Sequence, residues 1–112
     1  MRLTNKKALE KFKRKYKGSK FLTHAIDKLV HDIETNYWKS RSEFQASRSD
    51  EDCVHNDGFY FFNISAYRTM VLIELNEQEA TVVWCGNHKA YEQTFRDNKE
   101  TIKKWLSSHN WI

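Results

Sequence analysis

A chain of 112 residues has room for one domain around one modest core. Its 39% hydrophobic and 14% aromatic content excludes a disordered chain, and no apolar run approaches the ~20 residues of a bilayer-spanning helix. The net charge of +4 hides an asymmetry: residues 1–20 carry nine Lys/Arg against one Glu, whereas the rest of the chain is net acidic. Such a basic end attracts phosphate backbones, or is simply a solvated helix face.

Met1-Arg2-Leu3 starts an edge strand or serves as a lead-in. Thr4 or Asn5 can cap a helix over about residues 5–16, with Ala8, Leu9, Phe12 and Tyr16 on its apolar face and Gly18 at its end. Ser19 opens a second helix to about residue 37, with an apolar stripe from Phe21 to Ile33. The short break predicts a helical hairpin. His24 and His31 share one side of that helix as boundary residues.

Residues 38–58 are polar and mixed. Ser42 to Ser47 reads as a short strand with Phe44 and Ala46 on one face, and Asp50-Glu51-Asp52 and Asn56-Asp57-Gly58 read as turns. Phe59 to Ile64 and Tyr67 to Leu75 read as strands, joined by a turn at Ser65-Ala66. A turn at Asn76-Glu77-Gln78 leads to a third strand, Glu79 to Cys85, and such short connections imply antiparallel pairing. A helical turn near 88–95 and a helix near 98–108 close the chain. The predicted fold is α+β: an N-terminal helical hairpin packed on one face of a small antiparallel sheet, with a short C-terminal helix and the other face partly open to a ligand.

The two cysteines, Cys53 and Cys85, suit a reduced cytoplasmic protein, and the early polar residues argue against a signal peptide. Cys53-x-His55 lacks a second ligand pair, so no metal is expected there. Trp38, Trp84, Trp105 and Trp111 read as packing residues.

Three side chains carry possible chemistry. Strand alternation points Arg68 away from the face that holds Tyr67 and Val71. A guanidinium there is a permanent cation that can grip phosphate oxygens, or one half of a surface ion pair. His88 opens the helical turn, and an imidazole is the side chain best suited to proton transfer near neutral pH, so it serves as a proton-transfer group or as a cap. Tyr91, one turn on, can stack on a base, bond a phosphate or anchor the turn. Lys89 and Arg96 are candidates for RNA-backbone contacts, and Glu92 either holds His88 or Arg68 or lies in solvent.

Phe62-Asn63-Ile64, Tyr67-Arg68, the apolar strand and hairpin that follow, Asn87-His88-Lys89-Ala90-Tyr91-Glu92 and Glu100-Thr101-Ile102 come in that order. This layout resembles the HigB-type toxins of the RelE-like group of bacterial toxin–antitoxin systems, whose pattern is FNI/FNV, YR, an apolar strand, a hairpin, TH-x-x-YD and often ETI. Asn87 stands for Thr and Glu92 for Asp. The turn before Tyr67 is shortened to Ser65-Ala66, and the chain after Ile102 exceeds that of many members. The resemblance implies a metal-independent endoribonuclease, without cofactor, that cuts mRNA on the translating ribosome. It implies Arg68, His88 and Tyr91 as the catalytic set. It further implies a cognate helix-turn-helix antitoxin that neutralises the toxin and brings it to operator DNA only indirectly, with no membrane partner. On the same fold, a non-catalytic RNA- or ribosome-binding protein is the alternative, and an interaction module using the aromatic tail is a third.

Overall fold

Among the described residues five strands form one sheet, with the first strand beside the fifth, followed by the fourth, the third and the second. In the computed structural model the elements run β1 Arg2–Thr4, α1 Lys6–Lys15, α2 Lys20–Thr35, α3 Arg41–Ser47 and β2 Glu51–His55, then β3 Phe59–Ile64, β4 Tyr67–Glu74, β5 Glu79–Asn87, α4 His88–Phe95 and α5 Lys99–Ser108. The structure describes residues 1–48, 51–55, 57–64 and 66–112. The expected turn positions Asp50, Asn56 and Ser65 lie outside the described residues.

The expected strands β3 to β5 are present and pair antiparallel. The sheet as a whole is mixed, because β1 lies parallel to the first residues of β5, with Arg2 opposite Glu79. The chain therefore enters through a strand before its first two helices, and the long path from β1 to β5 makes a parallel neighbour possible. Neither Thr4 nor Asn5 caps α1. Thr4 Oγ1 bonds Thr81 Oγ1 at 2.8 Å, and Asn5 Nδ2 donates to the Val82 carbonyl at 2.8 Å. Both side chains stitch the start of α1 to β5, and Asn5 takes left-handed backbone (φ 61°) to do so. The helix ends at Lys15, with Gly18 in the following turn. Ser19 caps α2 as expected, accepting the Leu22 N–H at 3.2 Å. Lys6 pairs with Glu34 and Lys13 with Asp27 across α1 and α2.

Two expectations for residues 38–58 fail. Residues 41–47 are helical: the Ser40 hydroxyl accepts the Glu43 N–H, and the Glu43 carboxylate reaches back to the Lys39 N–H, a variant of the capping box. Phe44 alone then enters the core, edge-on to Tyr60 and Phe62, while Ala46 is exposed. Glu51 and Asp52, expected in a turn, instead open the edge strand β2, Glu51–His55, which pairs with β3. Gly58 makes the connection with φ 101°, and a Cβ there would lie 2.6 Å from the Ile73 carbonyl oxygen.

The sheet is covered on both sides, which corrects the expectation of an open second face. On the first face α1, α2 and α3 bury Leu9, Phe12, Leu22, Ile26, Leu29, Ile33 and Phe44 against Tyr60, Phe62, Val71, Ile73 and Val82. On the second, α4 and α5 bury Tyr91, Phe95, Ile102 and Leu106 against Val54, Phe59, Phe61 and Met70. A one-residue shift places Met70 opposite Trp84 but Val71 opposite Val82, leaving Val83 as the extra residue of a bulge. Trp111 packs edge-on to Phe59, so the aromatic tail belongs to the second face. Cys85 is largely buried, and that burial pushes its thiol up to about 11, leaving it protonated and unreactive. Among the described residues no helix is long and apolar enough to cross a membrane, and no three His, Cys, Asp or Glu side chains are grouped to hold a metal.

Candidate functional site

The hairpin β3–β4 sets Asn63 opposite Arg68, and β5 sets Gly86 on the other side of Arg68. Tyr67 turns to the first face, where it packs against Phe12 and Tyr16. Arg68 turns to the second, as alternation requires. Its guanidinium carbon lies 4.2 Å from the centre of the Tyr91 ring, a close cation–π contact. Among the described residues Arg68 makes no ion pair. The cation is thus half-buried, fixed against a ring, and not neutralised by a carboxylate.

Tyr91 is 2% exposed. Its ring packs edge-on to Phe61 (5.0 Å, 87°) and tilted to Phe95. Its hydroxyl donates to Asp97 Oδ1 at 2.8 Å. Burial first, then the Asp97 carboxylate, pushes the phenol up to about 12, against the opposing pull of Arg68. The phenol is therefore a neutral donor throughout the physiological range. Of the three alternatives for Tyr91, the geometry matches the anchor.

Asn87, not His88, caps α4. Its Oδ1 accepts the Ala90 N–H at 2.8 Å, and its Nδ2 lies 3.2 Å from the Tyr16 hydroxyl on α1. His88 is thereby released from capping. Its backbone N–H donates to the Ala66 carbonyl at 2.7 Å, which ties α4 to the β3–β4 turn. The imidazole is exposed, stacks at 22° on Tyr91 with 6.2 Å between centres, and sets Nε2 3.4 Å from Glu92. Helical spacing places His88 and Glu92 on one flank of α4 and Ala90 and Thr94 on the other. Lys89 in the first turn of α4 and Arg96 at its C-cap are exposed, and among the described residues neither pairs with or packs on Arg68, Tyr91 or His88. We expect Asn87→Ala to cost about 1 kcal/mol, as loss of an N-cap does, read as a lower denaturation midpoint at unchanged slope.

Three neighbours of the site were not singled out in the sequence. Asn63 follows from the pairing of β3 with β4, which sets Ile64 opposite Tyr67 and Asn63 opposite Arg68. Gly86 underlies the Trp84 indole, where a Cβ would come within 2.4 Å of the ring. Asp97 has no sequence signal, since nothing in Asp97-Asn98 points back to a tyrosine one and a half turns earlier. A groove of about 500 Å³ runs between α1 and α4 past Lys11, Lys15, Trp84, Gly86, Ala90 and Thr94. It lies on the flank of α4 opposite His88, so it is distinct from this group.

A half-buried unpaired cation, an exposed imidazole held by a carboxylate, and an aromatic floor suit recognition of a phosphate with a proton transfer beside it. Comparison with known proteins agrees with the sequence resemblance. The family model for the HigB toxin, described as the RelE-like toxic component of a toxin–antitoxin system, matches residues 22–94. That span runs from α2 into α4 and includes Arg68, His88 and Tyr91, while α1 and all of α5, with the Glu100-Thr101-Ile102 motif, fall outside it. No curated protein shows significant similarity to the chain. The chain belongs to the HigB toxin family, the RelE-like toxic components of toxin–antitoxin systems.

Proposed function

We propose that this toxin is a ribosome-dependent, metal-independent mRNA endonuclease of the cytoplasm, acting without a cofactor. The observation that carries the reading is Arg68: a guanidinium held on the Tyr91 ring, without an ion pair among the described residues, beside the exposed imidazole of His88. In the proposed reaction a ribose 2′-oxygen attacks the adjacent phosphorus as its proton leaves. The bond to the 5′-oxygen breaks as that oxygen takes up a proton. The products are a 2′,3′-cyclic phosphate and a 5′-hydroxyl. Arg68 binds the non-bridging oxygens, where negative charge concentrates. His88 carries one of the proton transfers, with Glu92 orienting its ring. Tyr91 belongs to the set by holding Arg68, and Lys89 and Arg96 contact the RNA backbone.

We expect His88→Ala to slow cleavage on the order of 100-fold while leaving ribosome binding intact. The measurement is primer extension on ribosome-bound mRNA beside a sedimentation assay. Equal cleavage by the variant would remove His88 from the mechanism.

Membership of a toxin–antitoxin family implies an antitoxin partner. We propose a helix-turn-helix antitoxin, through which the complex reaches operator DNA. A second reading, a non-catalytic RNA- or ribosome-binding protein, draws on α1 and the turn after it. There Lys7, Lys11, Arg14, Lys15 and Lys17 are exposed and make no ion pair among the described residues, although Lys6 and Lys13 are paired. It predicts salt-sensitive ribosome binding with no cleavage at any protein concentration.

A further inference from the structure

We propose that Asp97 is a positioning residue for Arg68, acting through Tyr91: its carboxylate fixes the phenol, and the fixed ring holds the guanidinium in place. The inference rests on the reading of Arg68 as the phosphate-binding cation.

The geometry forms a continuous relay. Asp97 Oδ1 accepts the Tyr91 hydroxyl at 2.8 Å, and the face of the same ring lies 4.2 Å from the Arg68 guanidinium carbon. The ring cannot slide along the sheet, because Phe61 meets it edge-on and Phe95 flanks it. The remaining freedom is tilt about the buried edge, and the hydroxyl bond removes it. An anionic acceptor also draws the phenol proton outward and enriches the ring in electron density, which strengthens its hold on a cation.

The backbone around Asp97 is set for this task. Arg96 and Asp97 have φ of 54° and 48°, two successive non-glycine residues in the left-handed region. Such residues are costly and persist where the surroundings enforce them. Here Arg96 is itself the C-cap of α4, and Asn98 follows Asp97, capping α5 by accepting the Glu100 and Thr101 N–H groups at 2.9 and 3.1 Å. Asp97 is thus clamped between two helix ends, with its carboxylate aimed back at Tyr91. The bond spans α4 and the turn after it, so the start of α5 is coupled to the cation on β4.

The test uses the full-length toxin with Asp97→Ala, Asp97→Asn and Tyr91→Phe. Asparagine keeps an acceptor and tolerates left-handed backbone; Tyr91→Phe leaves the Asp97 backbone untouched and removes only the donor. The first readout is the nitrogen–proton NMR signal of the Arg68 side chain, which the ring current of Tyr91 shifts in the unaltered protein. We expect Asp97→Ala and Tyr91→Phe to move that signal toward the value of a free arginine, and Asp97→Asn to restore most of the original position. The second readout is cleavage of ribosome-bound mRNA. Asp97→Ala should lower kcat on the order of 10-fold with little change in KM, as small misplacement of a catalytic group does, and the double variant with Tyr91→Phe should lose no more. An Arg68 signal unmoved in folded Asp97→Ala and Tyr91→Phe proteins would overturn the inference. If Arg68→Ala cleaves normally while the NMR shifts follow the expected pattern, the positioning claim stands and the assignment of Arg68 to phosphate falls.

Discussion

Arg68→Ala should reduce mRNA cleavage by about 100- to 1,000-fold, the usual cost of removing one preorganised donor from a developing oxyanion. The fold should survive. Arg68 is half-buried and among the described residues has no ion-pair partner to strand, so its loss leaves none of their charges uncompensated in the core. Arg68→Lys is the sharper comparison. An ammonium keeps the charge but loses the planar fork and the flat face that lies on Tyr91. It should therefore recover only part of the activity. Cleavage of ribosome-bound mRNA, measured beside a thermal melt, separates loss of chemistry from loss of fold. Unchanged cleavage by a folded Arg68→Ala protein would show that the cation is not used.

Phe61→Ala should have the largest effect on stability, about 3–5 kcal/mol. Phe61 is fully buried at the centre of the second face. It meets Trp84 at 6.2 Å, Tyr91 at 5.0 Å and Phe95 at 5.4 Å, all edge-on or nearly so. Removing the ring leaves a cavity beneath both α4 and the Tyr91 platform. Against a total stability of about 5–15 kcal/mol, such a loss leaves a marginal protein. Urea denaturation should show a markedly lower midpoint. Phe61→Leu, which fills much of the same space, should cost considerably less. Because Tyr91 rests on Phe61, the alanine variant should also lose activity at temperatures where it remains folded.

The sequence exposes the elements whose signals are local. Phe59–Ile64, Tyr67–Glu74 and Glu79–Asn87 show apolar and β-branched runs separated by short turns, and Ser19 marks the start of α2. Residues 41–47 were misread because a single buried Phe44 fits either period; the deciding signal was Ser40 with Glu43, a cap rather than a pattern. The edge strand Glu51–His55 is polar on account of its position at the rim, and it pairs through its backbone, which leaves little trace in side-chain type. The parallel docking of β1 on β5 depends on contacts between opposite ends of the chain. The second helical layer was missed for a related reason: the apolar residues of α4 and α5 show amphipathic helices but not which sheet face they cover.

The site divides along the same line. Arg68, His88 and Tyr91 are legible through residue type, spacing and family pattern, and the fold brings all three to the second face. Their division of labour is not legible. That Asn87 takes the cap and frees His88, and that Tyr91 is buried with its hydroxyl tied to Asp97, follow from three-dimensional packing.

The roles proposed for Arg68 and His88 require RNA cleavage by internal attack of a ribose hydroxyl. The most direct measurement is the chemistry of the cut ends after purified toxin meets translating ribosomes, with mRNA carrying either a ribose or a 2′-deoxyribose at the cleavage position. The account predicts a 2′,3′-cyclic phosphate and a 5′-hydroxyl from the ribose substrate, and no cut at the deoxy position. Cleavage at the deoxy position, or ribosome binding with no cleavage of either substrate, would contradict it.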